Sequence, residues 1–338
     1  MNLIIPKKLE RGDTIGIISP SAGLCPIFPH RVDNGINMLK KLGFNVKFAS
    51  NSKNNDGYVS GTVQQRVDDI HEMFLDKNVK AIICTVGGNH SNQLLKKIDY
   101  EIIKNNPKVF VGYSDITVLH YAFYNKAKLQ TYYGPCLITE FGEYPEMFEY
   151  SRKYFLKTLT EGGKISIDKI NYYTDELLNW LNKEDLKRQR KVYNIDGFKW
   201  IRRGYVKSKI IGGCVPSVNH LIGTEYWIDP EDKVYFIDLP EGSEIGKGIS
   251  ISNLDSYLTD LDNINLFDKI SGLIVSVPYG YDDNEKEKLY ELIKKFVNKK
   301  DYPVLLNFPI GHTEPMITLP LMSEIEFDSN TEQLIIYN

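Results

Sequence analysis

The chain has 338 residues, 42% of them hydrophobic, with 41 basic against 44 acidic side chains and a formal charge of −3. That is enough apolar material for one large domain or two, and the charge balance gives no electrostatic case for nucleic acid or an anionic membrane as partner. The four cysteines, Cys25, Cys84, Cys136 and Cys214, stand far apart without a C-x-x-C pair, so reduced thiols of a cytoplasmic protein are expected, with no disulfide frame and no zinc site. There is no apolar run of about 18 residues and no basic start followed by an apolar core, so neither a membrane span nor a secretory leader is expected.

In chain order, Thr14 to Ile18 (TIGII) reads as a buried strand that ends in the turn-rich SPSAG. A helix is predicted over Val32 to Leu42, a strand over Asn45 to Ala49, a polar loop over Asp56 to Thr62 and a helix over Val63 to Leu75. The strand Val79 to Cys84 runs into VGGNHSNQLL. A short helix at Tyr100 to Lys104 precedes KVFVGYSDITVL, which reads as a strand at Val109 to Val111, a sharp turn, and a helix from Ser114 to about Tyr124. Alternating strands and helices imply a parallel sheet with ligands at the carboxyl ends of its strands. The loops SPSAG, VGGNH and GYSD would all lie at that edge.

Leu129 to Pro135 is a short strand and turn, and Pro145 to Leu159 a helix. The pattern then breaks. Residues 163–205 read as an irregular, charged insert, and the basic run Lys187 to Lys191 as a solvated face. The expected division is residues 1–162 as an N-terminal α/β domain carrying the nucleophile, and 163–338 as a C-terminal domain carrying the acid and the histidine. The second part opens with Ile210 to Gly213 (IIGG), and strands are predicted at Val234 to Ile237, Leu273 to Val277 and Val304 to Asn307. Helices run through Val218 and Leu221, over Ile251 to Leu261 and over Glu285 to Val297. A hairpin is predicted over Ser323 to Ile336.

Ser114 sits at a strand-to-helix corner, a position that suits either a helix N-cap or a nucleophile beside oxyanion-binding N–H groups. The G-x-S-x-G pattern is incomplete, with Ile116 in the fifth place. Gly87 and Gly88 suit a turn or an oxyanion site. A phosphate cradle lacks both the Walker lysine and the G-x-G-x-x-G spacing. Of the six histidines, His30 and His71 are expected at the surface, His90 near the glycine pair, and His120 either packed or solvated in the helix after Ser114; His220 falls in another helix. His312 alone follows a buried strand in a Gly- and Pro-containing loop that could hold a catalytic imidazole. Asp238 ends the strand VYFI, and Glu241 follows three residues on. The order Ser, acid, His is one that hydrolases use. Cys84 is a rival nucleophile, but it lies within its strand, where a thiol is expected to be buried and inert.

GDTIGIISPSAG, the stretch from VGGNHSNQLL through NPKVFVGYSDITVLHYAFYNKAKLQTYYGP, and GHTEPMITLPL together resemble the LD-carboxypeptidase family of serine peptidases, particularly its branch of microcin C immunity hydrolases. The resemblance runs over nearly the whole chain. It implies an α/β fold: a parallel α/β N-terminal domain, a smaller C-terminal α/β domain, and an active site in the cleft between them. It also implies a Ser-His-Glu triad, with Ser114 as nucleophile and His312 as base. Here Asp238 stands where the family has glutamate, and Glu241 is the alternative acid. Backbone N–H groups of Gly88 and Asp115 would bind the oxyanion, and Gly87 and Tyr173 would contact substrate. No metal or organic cofactor is implied, and a homodimer is. The substrate would be a small peptide or a peptidyl- or aminoacyl-nucleotide conjugate. A murein tetrapeptide is one alternative, and a weakened scaffold that sequesters a peptide-nucleotide antibiotic is another. The family's IGGN reads IGGC here, placing Cys214 near the cleft.

Overall fold

The computed structural model describes residues 2–338. The first half alternates strand and helix: β1 (Thr14–Ile18), α1 (Pro29–Lys41), β2 (Asn45–Phe48), α2 (Val63–Leu75), β3 (Val79–Cys84), α3 (Tyr100–Asn105), β4 (Val109–Gly112), α4 (Thr117–Ala127) and β5 (Tyr132–Tyr133). Local chemistry sets several of these boundaries. Thr62 and Gln65 form a reciprocal capping box that starts α2. Pro29 starts α1 three residues before the apolar stripe does, since the first turn needs no N–H from it. The helix α5 (Glu149–Leu156) is shorter than predicted. It passes into a π turn at Lys157–Glu161, which Gly162 closes at φ +68°.

The insert is less irregular than its composition implies. It contains β6 (Lys164–Ser166), β7 (Tyr172–Tyr173), β8 (Tyr193–Asn194) and β9 (Lys199–Arg202). Next come β10 (Tyr205–Cys214), α6 (Val215–Asn219), β11 (Val234–Asp238), α7 (Ile251–Asn263), α8 (Leu266–Lys269), β12 (Gly272–Ser276), α9 (Asp283–Val297), β13 (Val304–Phe308), β14 (Leu319–Pro320), β15 (Glu324–Asp328) and β16 (Gln333–Tyr337).

Two large sheets result. The first has the order β14-β5-β4-β3-β1-β2 and is parallel except for β14. The second, expected to be the smaller unit, has eight strands in the order β6-β16-β15-β10-β11-β12-β13-β9. Its parallel centre, β10 to β13, carries antiparallel strands on both flanks. The strand β10 joins the two regimes. Its first half pairs with β15, and its second half runs beside β11, bringing Cys214 opposite Asp238.

The sheets are tied together. After the loop that holds His312, the chain returns to the first sheet as β14 and pairs with β5. The Cys214 N–H donates to the Thr117 hydroxyl at 3.2 Å, linking β10 to the start of α4. The carboxyl ends of β4 and β11 therefore open on one shared cleft, as expected where ligands sit beyond the strand ends of α/β sheets.

Under the first sheet, fully buried Phe110 stacks on Phe74 (6.4 Å between centroids) and meets Phe123 edge-on at 4.8 Å. Phe110→Ala empties that contact and is expected to cost about 3–5 kcal/mol of stability. Chemical denaturation of the pure variant checks this, and a loss below about 1 kcal/mol would contradict the packing described.

Candidate active site

Ser114 follows β4 with φ +63°, in the left-handed region that a non-glycine residue enters only under constraint. It opens a 3-10 turn, Ser114–Ile116, that leads into α4. Its N–H donates to the Tyr133 hydroxyl at 3.1 Å. Its Oγ lies 2.9 Å from His312 Nε2. On the other side of the ring, His312 Nδ1 lies 2.8 Å from Asp238 Oδ2, a close ion-pair contact that is not well aligned for a hydrogen bond. Asp238 ends β11 and is fully buried. Its Oδ1 accepts the His312 backbone N–H at 3.2 Å. Gly311 makes the approach possible: a Cβ there would sit 1.8 Å from Asp238 Oδ1.

Two acids therefore reach the imidazole from different sides. Asp238 faces Nδ1. Glu241, 58% exposed at its side chain, lies 3.5 Å from Nε2, the nitrogen already turned to Ser114. Asp238 thus faces the ring nitrogen turned away from Ser114, and Glu241 the nitrogen turned toward it. Burial works against the imidazolium, but the charges of Asp238 and Glu241 outweigh it and raise the His312 pKa to about 9.

Sequence reasoning missed the part played by Tyr133. Its fully buried hydroxyl accepts from Ser114 N–H and donates to Asp238 Oδ2 at 2.5 Å. Burial, then the Asp238 charge, pushes the phenol well above its ordinary pKa, so it stays a donor. The only available signal was its place beside the glycine of YYGP. The Asp115 side chain was missed as well. Fully buried, its Oδ2 accepts from Ser21 Oγ (2.6 Å), His90 N–H (2.9 Å) and Ser91 N–H (2.8 Å). One carboxylate thus gathers the three loops expected at this edge. Among the described residues, no acceptor is found for the Gly88 N–H or the first-turn N–H of Asp115; Gly88 lies against Ser21, and Gly87 against Ser114 and the Asp115 N–H.

Ser114, His312 and Glu241 line a cleft of about 350 Å³, with Asp238, Tyr133 and Asp115 buried behind them. Gly87, Gly88, Ser114 and His312 form its floor, and the insert supplies a wall through Leu177, Leu178, Trp180 and Arg190. Several expectations are corrected here. Tyr173 does not line the cleft. It is buried against Tyr193 (5.6 Å), and its hydroxyl accepts from Lys286 at 3.0 Å. Trp180 is the insert's aromatic in the cleft, held by Arg31 over its ring at 4.4 Å. Within the supposedly solvated basic run, Arg190 turns inward to Glu143 at 2.8 Å. His30 is not free at the surface but pairs with buried Asp185 at 3.2 Å. Cys84 is fully buried, and burial followed by the Asp115 charge pushes its thiol well up, which rules against a reactive thiolate.

Among the described residues, Cys214, Asp238 and His312 form the one group whose donor atoms lie close enough to share a metal ion. The acid and the imidazole face each other, and burial holds the Cys214 thiol protonated, so this donor set does not resemble a prepared metal centre.

Comparison with known proteins agrees with this architecture. Residues 15–134 match the LD-carboxypeptidase N-terminal domain, and residues 207–327 match the LD-carboxypeptidase C-terminal domain. The chain belongs to the LD-carboxypeptidase family of serine peptidases, hydrolases of peptide-like substrates. The microcin C7 self-immunity protein MccF of Escherichia coli is 31% identical over 98% of this chain and 95% of its own. A probable murein peptide carboxypeptidase of Bacillus subtilis is 28% identical over 98% and 93%. The structure of MccF in complex with aspartyl sulfamoyl adenosine superposes with a TM-score of 0.91 at 30% identity, covering 99% of this chain and 98% of that one.

Gly87 packs so closely that a Cβ would lie 2.7 Å from Ser114 Cβ and 2.8 Å from its Oγ. Gly87→Ala must displace the serine. A shift of that size is expected to slow labelling of Ser114 by a fluorophosphonate about a hundredfold while leaving the melting temperature within a few degrees of wild type. Unchanged labelling would contradict the packing.

Proposed function

We propose that the protein is a serine amidase that cleaves the amide joining an aminoacyl or peptidyl group to a nucleotide-like leaving group. The observation that carries this is the continuous contact from Ser114 Oγ through His312 to Asp238 at the cleft floor. His312 Nε2 takes the Ser114 proton as Oγ attacks the carbonyl carbon. The Gly88 and Asp115 N–H groups receive the developing oxyanion. His312 then passes the proton to the leaving nitrogen, and water releases the acyl group from Ser114 by the same route in reverse. Asp238 stabilises the imidazolium, one methylene short of glutamate. Its reach is made up by the close passage of Gly311 and by Tyr133, which fixes the carboxylate and the Ser114 backbone with one hydroxyl. Trp180 offers a flat face on which a base can stack.

The relatives support this substrate class: MccF is described in complex with aspartyl sulfamoyl adenosine and with glutamyl sulfamoyl guanosine. The murein peptide carboxypeptidase relative supplies the competing substrate. The test incubates wild type and Ser114→Ala with aspartyl sulfamoyl adenosine and with a murein tetrapeptide ending in D-alanine, reading products by mass spectrometry. Cleavage of the nucleotide conjugate by wild type alone is expected. Cleavage of the tetrapeptide alone would transfer the assignment to murein. Binding without turnover would favour a sequestering protein.

The base must be neutral to accept a proton. With the His312 pKa raised to about 9, kcat/KM is expected to climb between pH 7 and 9 rather than level off near 6.5. Tyr133→Phe removes a donor from Asp238, leaving its charge less shared and the imidazolium better held. The midpoint should then move upward. A plateau already reached at pH 7, or a midpoint unmoved in Tyr133→Phe, counts against this arrangement.

A further inference from the structure

The charge in the cleft is unbalanced in a way that Ser114, His312 and Asp238 do not use. The two arginines facing it already pair with acids, Arg190 with Glu143 at 2.8 Å and Arg31 with Asp185 at 3.2 Å; the Arg190 charge also reaches Glu314, but makes no hydrogen bond to it. Glu140 and Glu314 face the same space and are 5% and 4% exposed. Glu140 receives only neutral donors: the Tyr113 hydroxyl (2.9 Å), the Thr139 hydroxyl (2.6 Å) and the Cys136 N–H (2.8 Å). Glu314 receives one, the Ser151 hydroxyl at 2.6 Å on Oε2, and its Oε1 has no partner.

A buried carboxyl with an unused oxygen and a like charge beside it is a costly arrangement. Burial, then the Glu140 charge, holds the Glu314 pKa up at about 8. A cation is what would bring the carboxyl back to its charged form. Tyr113 sets the distance from the chemistry. It immediately precedes Ser114, its ring centroid lies 5.0 Å from that of His312, and its hydroxyl ends on Glu140. Glu140 thus lies one tyrosine side chain away from the nucleophile, and Glu314 lines the same cleft within reach of its charge. At the rim, Glu241 and Glu244 add charge of the same sign, favouring entry of cations.

We propose that Glu314 and Glu140 form a subsite for an ammonium group on the acyl part of the substrate, a few bonds from the scissile carbonyl. The inference rests on the amidase reading and narrows it to acyl groups with a free amine. The ammonium donates to Glu314 Oε1 and completes the charge balance of the cleft. An amide whose acyl part lacks the amine leaves that oxygen unpaired.

The test measures binding rather than turnover, so that it stands apart from the chemistry. Ser114→Ala is titrated by calorimetry with aspartyl sulfamoyl adenosine and with its deamino analogue, in which hydrogen replaces the ammonium. The free amine is expected to bind about tenfold more tightly or better. In Ser114→Ala combined with Glu314→Gln, that ratio should fall toward one. Equal affinity for the two compounds, no binding of either, or a ratio that Glu314→Gln leaves intact would each overturn the subsite. A tenfold preference for the free amine in Ser114→Ala that Glu314→Gln abolishes, together with no cleavage by wild type, would instead sink the amidase reading and leave the subsite standing.

Discussion

The Tyr133 hydroxyl is the junction on which the cleft depends. It accepts from the backbone of Ser114, at the end of one sheet, and donates to Asp238, at the end of the other. A phenol can do both at once because it carries one proton and spare lone pairs, and burial keeps that proton in place. Satisfied at both ends, the group fixes the serine relative to the acid without a flexible side chain in between. The imidazole then bridges a gap whose two edges are already set.

Around this junction the protein holds buried charge in two ways. Some carboxylates are well supplied with donors or cations. Asp115 gathers three donors on Oδ2, which holds three loops in register, while its Oδ1 is unpaired. Glu143 and Asp185 are matched by arginines. Others are left short of partners, and these face the cleft. A folded chain tolerates such groups where binding repays them, which is why unsatisfied polar atoms gather at working sites rather than in the core.

Much of the first sheet was legible in the sequence because its strands are short apolar runs separated by helices of clear period. The strands Thr14–Ile18 and Val79–Cys84 and the helix Val63–Leu75 fall at the predicted bounds. Ser114, Asp238 and His312 could be singled out because each follows a strand end, and the structure brings them within hydrogen-bonding or ion-pairing range. The insert was not legible. Its strands are two to four residues long; β7 and β8 pair across the insert itself, while β9 pairs with distant β13 and β6 with distant β16. No local period signals such pairing. Arg190 and His30 were misplaced for the same reason, since what turns a charged side chain inward is a partner distant in sequence. Tyr173 was expected in the cleft and Trp180 was given no part in it, because composition shows which aromatics the insert contains but not which way its backbone turns.

The loop bearing His312 starts from β13 in the second sheet and lands in β14 in the first. It is a strap across the two halves of the molecule, and the imidazole rides at its centre. The spacing of the two sheets and the separation of His312 from Ser114 are therefore set by one short stretch of chain.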